Sequence, residues 1–240
     1  MQLVRTKPRQ LEHLVITKTN ILAQAGNDLT TLEAKVLEYC FANVFKTDNI
    51  SAQDIFEVDI AAMSAYFELT RSNAYRELKE IFRTLAKKQL KIDLFGIKTE
   101  SSWLSAIRYN DLQGLLQIQL SPIVCDHISH RLLVTEHFTQ YHLMEVAGLK
   151  HRFSIILFNY FKSISYKTSE KKLELSLEDL RELFYLEDTE FTTWGSFNRQ
   201  LQKNLKEIET KTGLNVKLVE RKTGKKVTRV VFVVVEQVGD

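Results

Sequence analysis

Five basic side chains crowd one short stretch near the end of the chain, VERKTGKKVTR at 219–229. They are Arg221, Lys222, Lys225, Lys226 and Arg229. Cations packed this closely can bind phosphate oxygens or reach into the minor groove of DNA. Apolar runs flank the stretch, and Gly224 permits the positive φ of a tight turn, so the pattern predicts a hairpin with a cationic tip. A charged tip that only deters pairing of strand edges is the simpler alternative.

A second set of polar side chains lies on a helix predicted over 192–213, with Gly213 placed to end it. Helical spacing turns four apolar residues inward: Phe197, Leu201, Leu205 and Ile208. The opposite face carries Ser196, Asn198, Arg199, Gln202, Lys203 and Lys206. In the major groove Arg can bond guanine, and Asn or Gln can bond adenine, while later lysines meet phosphates. A solvated helix face is the alternative interpretation.

The first half offers a weaker version of the same arrangement. Four polar residues open a long helix predicted over 70–89: Arg71, Ser72, Asn73 and Arg76. They could contact a second groove, but Glu77 and Glu80 follow them. A weaker DNA contact and a solvated helix face both remain open for this helix.

The distribution of charge favours a polyanionic partner for the second half. The whole chain of 240 residues carries a net charge of only +3. Residues 1–149 hold 16 Lys and Arg against 17 Asp and Glu, a net −1, whereas residues 191–235 hold 10 against 3, a net +7. A local cationic excess of this kind is typical of nucleic-acid binding.

These residues must be positioned by regular elements, and the elements repeat along the chain. Each half is predicted as helix, short strand, short helix, long helix and β-hairpin, which is the helix-turn-helix order followed by a wing. At an offset of about 123 residues, Leu78, Phe82 and Leu85 align with Leu201, Leu205 and Ile208. We therefore expect an α+β fold of two tandem winged-helix domains, at 1–134 and 135–240. Two unrelated α+β domains of similar layout are the alternative.

Several elements of the first half are predicted individually. A helix at 29–45 has Asn27 or Asp28 as its cap, and a shorter one at 59–67 begins near Asp59. Strands are predicted at 90–95, 102–109 and 115–120, with the first two forming the hairpin of this domain.

Two segments resemble a known family. FTQYHLMEVAGLKHRFSIILFNYF (138–161), including a turn at FTQY, and NVKLVERKTGKKVTRVVFVV (215–234) are similar to the second winged-helix domain of iteron-binding plasmid replication initiators. ITKTNILAQAGNDLTTLEAKVLEYCF (16–41) resembles the entry to their first domain. The resemblance runs from about residue 14 to the C-terminus.

The resemblance implies a protein that binds directly repeated double-stranded DNA at a plasmid origin as a monomer and initiates replication there. It also implies homodimers, joined through the first domain, that repress the initiator's own gene, and contacts with host helicase, initiator and chaperone proteins. Arg199 stands where the family tends to have a basic residue on its recognition helix. Ser196, Asn198 and Gln200 stand where the family often has further arginines, which leaves the base contacts open. A winged-helix repressor without a replication role is the alternative function.

Other classes of function find little support in the sequence. The pair in HISH (127–130) has poor spacing for a metal or for a nicking enzyme, and His127 is predicted to lie on the surface. No GxxxxGK[ST] motif for a nucleotide phosphate occurs. We expect no catalytic residues, cofactor, metal or membrane contact. Cys40 and Cys125 stand apart in apolar surroundings, as expected in a reduced cytoplasm.

Overall fold

The computed structural model describes residues 3–5, 13–44, 50–67, 73–94, 96–129, 137–164 and 170–236. Its helices are α1 Asn20–Ala23, α2 Thr31–Val44, α3 Ile60–Tyr66, α4 Ala74–Leu85, α5 Pro122–Ile128, α6 Leu143–Ala147, α7 Arg152–Ile164, α8 Leu177–Leu183 and α9 Trp194–Lys211. Its strands are β1 Leu3–Arg5, β2 Val15–Thr19, β3 Gly26–Asn27, β4 Ile55–Glu57, β5 Gln89–Leu94, β6 Ile97–Ser102, β7 Leu104–Asn110, β8 Leu115–Leu120, β9 Phe138–His142, β10 Lys171–Ser176, β11 Leu214–Thr223 and β12 Lys226–Glu236.

The two long helices α4 and α9 bury the faces that their spacing predicts. Leu78, Phe82 and Leu85 in α4 are buried, as are their counterparts Leu201, Leu205 and Ile208 in α9. In each half a short strand, a short helix and a long helix lead into a hairpin, β5–β6 or β11–β12. The predicted α+β fold of two tandem winged-helix domains is therefore confirmed.

Helix starts in the first half depend on specific side-chain caps. Asp59 caps α3 as predicted, because its carboxylate accepts a hydrogen bond from the Ala62 backbone N–H at 2.9 Å. The prediction for α2 was wrong. Thr30 and Glu33 form a reciprocal capping box there, at 3.2 and 2.8 Å. Asn27 instead accepts from the Leu29 backbone N–H in the preceding turn.

The hairpin of the first half differs from the predicted one. Strand β5 pairs with β6 at 97–102, a segment that the pattern missed because IKTESS is largely exposed and polar. Gly96, at φ +87°, lies in the turn, and its N–H donates to the Asp93 carboxylate. The strand predicted at 102–109 is β7, which pairs with β8 in a separate sheet of order β1-β4-β8-β7. Strands 90–95 and 102–109 thus do not form one hairpin.

The second half is built on α7. This helix buries Phe153, Phe158 and Phe161, and Phe153 stacks on Phe184 at 4.4 Å between ring centroids while Phe161 contacts Phe232 at 5.2 Å. Strands β10, β12 and β11 form an antiparallel sheet in that order. Helix α9 ends at Lys211, followed by extended Thr212. Gly213 does not adopt the positive φ of a glycine cap, so its predicted role was wrong.

Several contacts join the two halves. The FTQY segment, expected to be a turn, is strand β9 and pairs with β2. Close by, the buried Lys18 ammonium lies 2.7 Å from the Glu38 carboxylate, which also accepts from the Tyr141 hydroxyl and the Asn159 amide. The predicted boundary at residue 134 remains a prediction, and these contacts connect segments on its two sides.

The backbones of the two halves also touch directly. A Cβ added to Gly26 in β3 would lie 2.9 Å from the Glu182 carbonyl oxygen at the end of α8. Outside this contact, the Lys98 ammonium on β6 lies 2.8 Å from the Glu182 carboxylate. The open groove beside them has a volume of about 320 Å³.

Candidate nucleic-acid interface

The start of helix α9 is held by a side-chain cap and by packing among aromatic rings. Thr193 caps it by accepting from the Ser196 backbone N–H at 3.3 Å. The ring of Phe197 stacks on Phe191 at 5.5 Å between centroids and meets Trp194 edge-on at 6.2 Å. Helix α8 and α9 are joined by residues 184–193, a link longer than the three or four residues of a simple helix-turn-helix.

The link between these helices is held by one arginine. The Arg181 guanidinium donates to the backbone carbonyls of Glu187 and Glu190, at 2.6 and 2.9 Å. Tyr185 and Phe191 adopt positive φ values of 54° and 46° within the link. Non-glycine residues rarely adopt this conformation, so the surrounding contacts must hold it.

The outward face of α9 carries the predicted polar residues. Arg199, Gln202, Lys203 and Lys206 are exposed, at spacings that place them along one side of the helix. Ser196 and Asn198 are only half-buried. Ser196 is partly engaged in the cap, because its hydroxyl donates to the Thr193 carbonyl at 2.8 Å. One buried polar residue on the inward side, Asn204, was not predicted.

The second hairpin, β11–β12, forms a wing whose tip matches the prediction. Gly224 has φ +61° at the first position of a two-residue turn, and Lys225 after it does not have positive φ. This combination fits a type II′ turn. All five predicted cations are exposed: Arg221, Lys222, Lys225, Lys226 and Arg229. Lys222 and Arg229 also form exposed ion pairs, with Glu220 at 3.4 Å and Glu174 at 3.3 Å.

Glu220 on β11 connects the wing to the start of α9. Its Oε1 atom accepts from the Trp194 indole N–H at 2.7 Å and from the Asn198 amide at 3.4 Å. Asn198 Oδ1 in turn accepts from the Gln202 amide at 3.3 Å. Neither Trp194 nor Glu220 was predicted as a site residue, because their contact joins positions 26 residues apart.

Comparison with known proteins decides the family. A family model described as Initiator Replication protein, WH1 matches residues 15–162, and one described as Initiator Rep protein, WH2 matches residues 176–234. The chain belongs to the initiator replication protein family. An Escherichia coli protein named Replication initiation protein is 24% identical over 228 residues, which cover 92% of this chain and 70% of that protein.

A solved structure of a similar protein supports the fold of this initiator family member. It is the crystal structure of Pi initiator protein in complex with iteron DNA, with a TM-score of 0.72 and 19% sequence identity. The match covers 94% of this chain and 98% of that one. The arrangement of both winged-helix domains is therefore shared along nearly the whole chain.

In the first domain of this chain, the structure describes two of the four predicted polar residues, Asn73 and Arg76. Arg71 and Ser72 lie outside the described residues. Asn73 is the N-cap of α4 and accepts from the exposed Arg76 guanidinium at 3.0 Å. Farther along the helix, the Lys79 ammonium lies 2.7 Å from the Asp111 carboxylate and 3.9 Å from the Tyr109 ring centre. The hairpin β7–β8 therefore occupies one side of α4.

The histidine prediction needs one correction. His127 is buried instead of exposed, and its Nδ1 lies 2.7 Å from the Thr19 hydroxyl, because α5 packs against β2.

Among the described residues, no group of three His, Cys, Asp or Glu could hold a metal ion. A search of the same residues finds no helix with the length and hydropathy to cross a membrane. Cys40 and Cys125 are buried free thiols, and burial raises the pKa of each to about 12.

Proposed function

We propose that this initiator family member binds the repeated double-stranded DNA of a plasmid origin as a monomer and starts replication there. The observation that carries the proposal is the junction of two cationic surfaces. The exposed side of α9 and the tip of the wing are linked through Glu220, whose carboxylate bonds to side chains of both elements. A helix can enter the major groove while a neighbouring hairpin follows the phosphates.

Within this surface each group has a proposed role. Arg199 would bond guanine, and Asn198 and Gln202 would bond adenine, because each side chain has the matching donors and acceptors. Lys203 and Lys206 lie farther along α9 and would contact phosphates, as would the five wing cations. Ser196 would assist near the helix start. The similar Pi initiator protein was solved in complex with iteron DNA, which supports iteron DNA as the ligand of this surface.

The first domain is proposed to make a secondary DNA contact. Arg76 is exposed at the start of α4, next to Asn73, and Arg71 and Ser72 precede them in the sequence. Arg83, about two helical turns after Arg76, is exposed, and its guanidinium lies 2.9 Å from the Glu80 carboxylate. The mixed charge of this face favours a weaker contact than the one proposed for α9.

A homodimer through the first domain is proposed to repress the protein's own gene. Strand β7 is an edge strand of its sheet, so it can pair with another chain. Leu112 in the turn after β7 is fully exposed, and Tyr109 is half exposed. Host helicase, initiator and chaperone proteins are proposed partners at the origin. This function needs no catalytic residue, cofactor or metal.

The experiment that tests the proposal uses the DNA around the gene. We expect direct repeats spaced by about 20 base pairs, two turns of the duplex, which place successive sites on one face. A plasmid carrying this gene and these repeats should replicate, and deletion of the repeats should abolish replication. Specific repression of the gene without any replication of the plasmid would contradict the proposal.

A further inference from the structure

We propose that Glu220 orients the side-chain amides of Asn198 and Gln202 on α9. Through this orientation it selects a base with an amino group in the major groove. The inference rests on the proposed function and names part of its specificity. It starts from a chemical asymmetry. An ionised carboxylate only accepts hydrogen bonds, whereas Asn and Gln side chains have one end that donates and one that accepts.

The carboxylate is itself held in place. Its Oε1 atom accepts from the Trp194 indole N–H at 2.7 Å, a short bond to a half-buried ring. Trp194 packs edge-on against the buried Phe197, so the indole has little freedom. On the other side, Oε2 lies 3.4 Å from the Lys222 ammonium. Glu220 is therefore a fixed acceptor at the junction of helix and wing.

The fixed acceptor orients two amides in succession. Asn198 lies 3.4 Å from Glu220 and must turn its Nδ2 toward the carboxylate, because its Oδ1 would be repelled. Its Oδ1 then points along the helix and accepts from Gln202 Nε2 at 3.3 Å. Gln202 is exposed one turn later, and its Nε2 is directed back toward Asn198. Its Oε1 is consequently left to face outward as an acceptor.

An outward acceptor on a recognition helix selects for an amino donor. In the major groove such donors are adenine N6 and cytosine N4, whereas guanine and thymine present acceptors at the corresponding positions. Without Glu220, both amides could rotate by half a turn, and Gln202 could then offer its Nε2 to guanine or thymine. Glu220 thus acts as a positioning residue, and Gln202 makes the contact.

The variants Glu220→Ala and Glu220→Gln separate positioning from charge. Alanine removes the acceptor, whereas glutamine keeps one oxygen for Trp194 and Asn198, removes the charge and places an amide nitrogen where Oε2 faces Lys222. Glu209→Gln, an exposed acid 11 residues beyond Asn198 on α9, is the matched control for the loss of one negative charge. Binding of each full-length variant is measured on the origin repeat, on a random duplex and on repeats substituted at every position in turn.

We expect wild type to prefer adenine or cytosine at one position by about fivefold to tenfold, the scale of one hydrogen bond to a charged or polar partner. Glu220→Ala should flatten the preference at that position and leave the guanine preference assigned to Arg199. Glu220→Gln and Glu209→Gln should retain it within about twofold, the level below which one bond is not resolved. Trp194→Phe removes the indole N–H that holds the Glu220 carboxylate but keeps an aromatic ring, so it should weaken the base preference at the same position.

The outcomes distinguish this inference from the function on which it rests. An equal loss in Glu220→Ala and Glu220→Gln would assign the effect to charge and overturn the positioning role. Preferences unchanged in Glu220→Ala would also overturn it. If wild type does not distinguish the repeat from random DNA, the proposed function itself fails. Thermal melting of each variant shows whether it is folded, so that unfolding is not mistaken for a loss of specificity. If Glu220→Ala does not fold, Trp194→Phe tests the same positioning role.

Discussion

Arg221 and Arg229 occupy directly paired positions on the two strands of the wing, and both guanidinium groups are exposed. Like charges placed opposite each other across two strands destabilise the pairing. Only one of the two, Arg229, has an acidic partner among the described residues, Glu174 at 3.3 Å. The wing therefore carries a repulsion that a bound polyanion would relieve.

Replacement of three wing lysines by glutamine should weaken binding to all DNA alike. Lys222, Lys225 and Lys226 are exposed, so the triple variant should keep its fold. Lost phosphate contacts make the slope of log affinity against log salt shallower by about 0.9 each, or roughly 2–3 in total. Slopes are measured on specific and random duplexes. Lys172→Gln, on the outer strand β10, is the single-charge control. An unchanged slope in the triple variant would remove the wing from the interface.

Arg199→Ala should weaken specific binding by about 1–3 kcal/mol and relax the preference at one base position. Arg199 is exposed on α9, five residues after its first residue. Titrations on the repeat and on random DNA measure the difference. Lys206→Gln serves as the matched control, because a phosphate contact should lose affinity equally on both. An equal loss for Arg199→Ala would make this residue a phosphate contact as well.

Leu112→Glu should lower the dimer fraction without damage to the core. Trp103 and Leu104, at the start of the edge strand β7, are buried within the fold and are poor positions for a test. Leu112 is fully exposed beside the edge strand β7. Sedimentation measures the dimer fraction, with Ile97→Glu, an exposed apolar residue on the other sheet, as the control. Equal dimer fractions in both variants and wild type would exclude this edge.

Lys18→Met should lower the free energy of unfolding by about 3–5 kcal/mol, because it leaves the buried Glu38 carboxylate without its charged partner. Urea unfolding measures this loss. The double variant Lys18→Met with Glu38→Leu should recover part of it. Lys98→Gln removes an exposed ion pair with Glu182 and should leave the free energy of unfolding nearly unchanged. Similar losses for Lys18→Met and Lys98→Gln would contradict the distinction.

A fragment of residues 135–240 is expected to fold and to bind the repeats, because α7, α8, α9 and the wing share one aromatic core. In this fragment β9 lacks its partner β2, and Tyr141 lacks Glu38. Burial, followed by the charge of Glu38, raises the pKa of Tyr141 in the whole chain. Circular dichroism and DNA titration test the fragment. Full binding by residues 1–134 together with no binding by residues 135–240 would contradict the assignment of the main contact.

The sequence predicted what depends on local periodicity and little that depends on distant pairing. The inward faces of α4 and α9 followed from apolar spacing, and Gly224 marked the turn of the wing. Strand β6 was missed because its exposed, polar residues lack alternation. Glu220 was missed because its role depends on Trp194 and Asn198, which approach it only after the hairpin packs on α9. Long-range partners of this kind have no local signature.

The close approach of Gly26 to the end of α8 fixes the spacing between the two halves of the protein at this point. Side chains can rotate to absorb a change in spacing, but two backbones in contact cannot, and a methyl group at Gly26 would already be too close to the Glu182 carbonyl. Together with the hydrogen bonds that Tyr141 and Asn159 donate to the buried Glu38 carboxylate, this contact holds the two halves against each other. If both domains contact one duplex, as proposed above, the length of DNA between the two contacts is then set by the protein, and inserting base pairs between them should weaken binding.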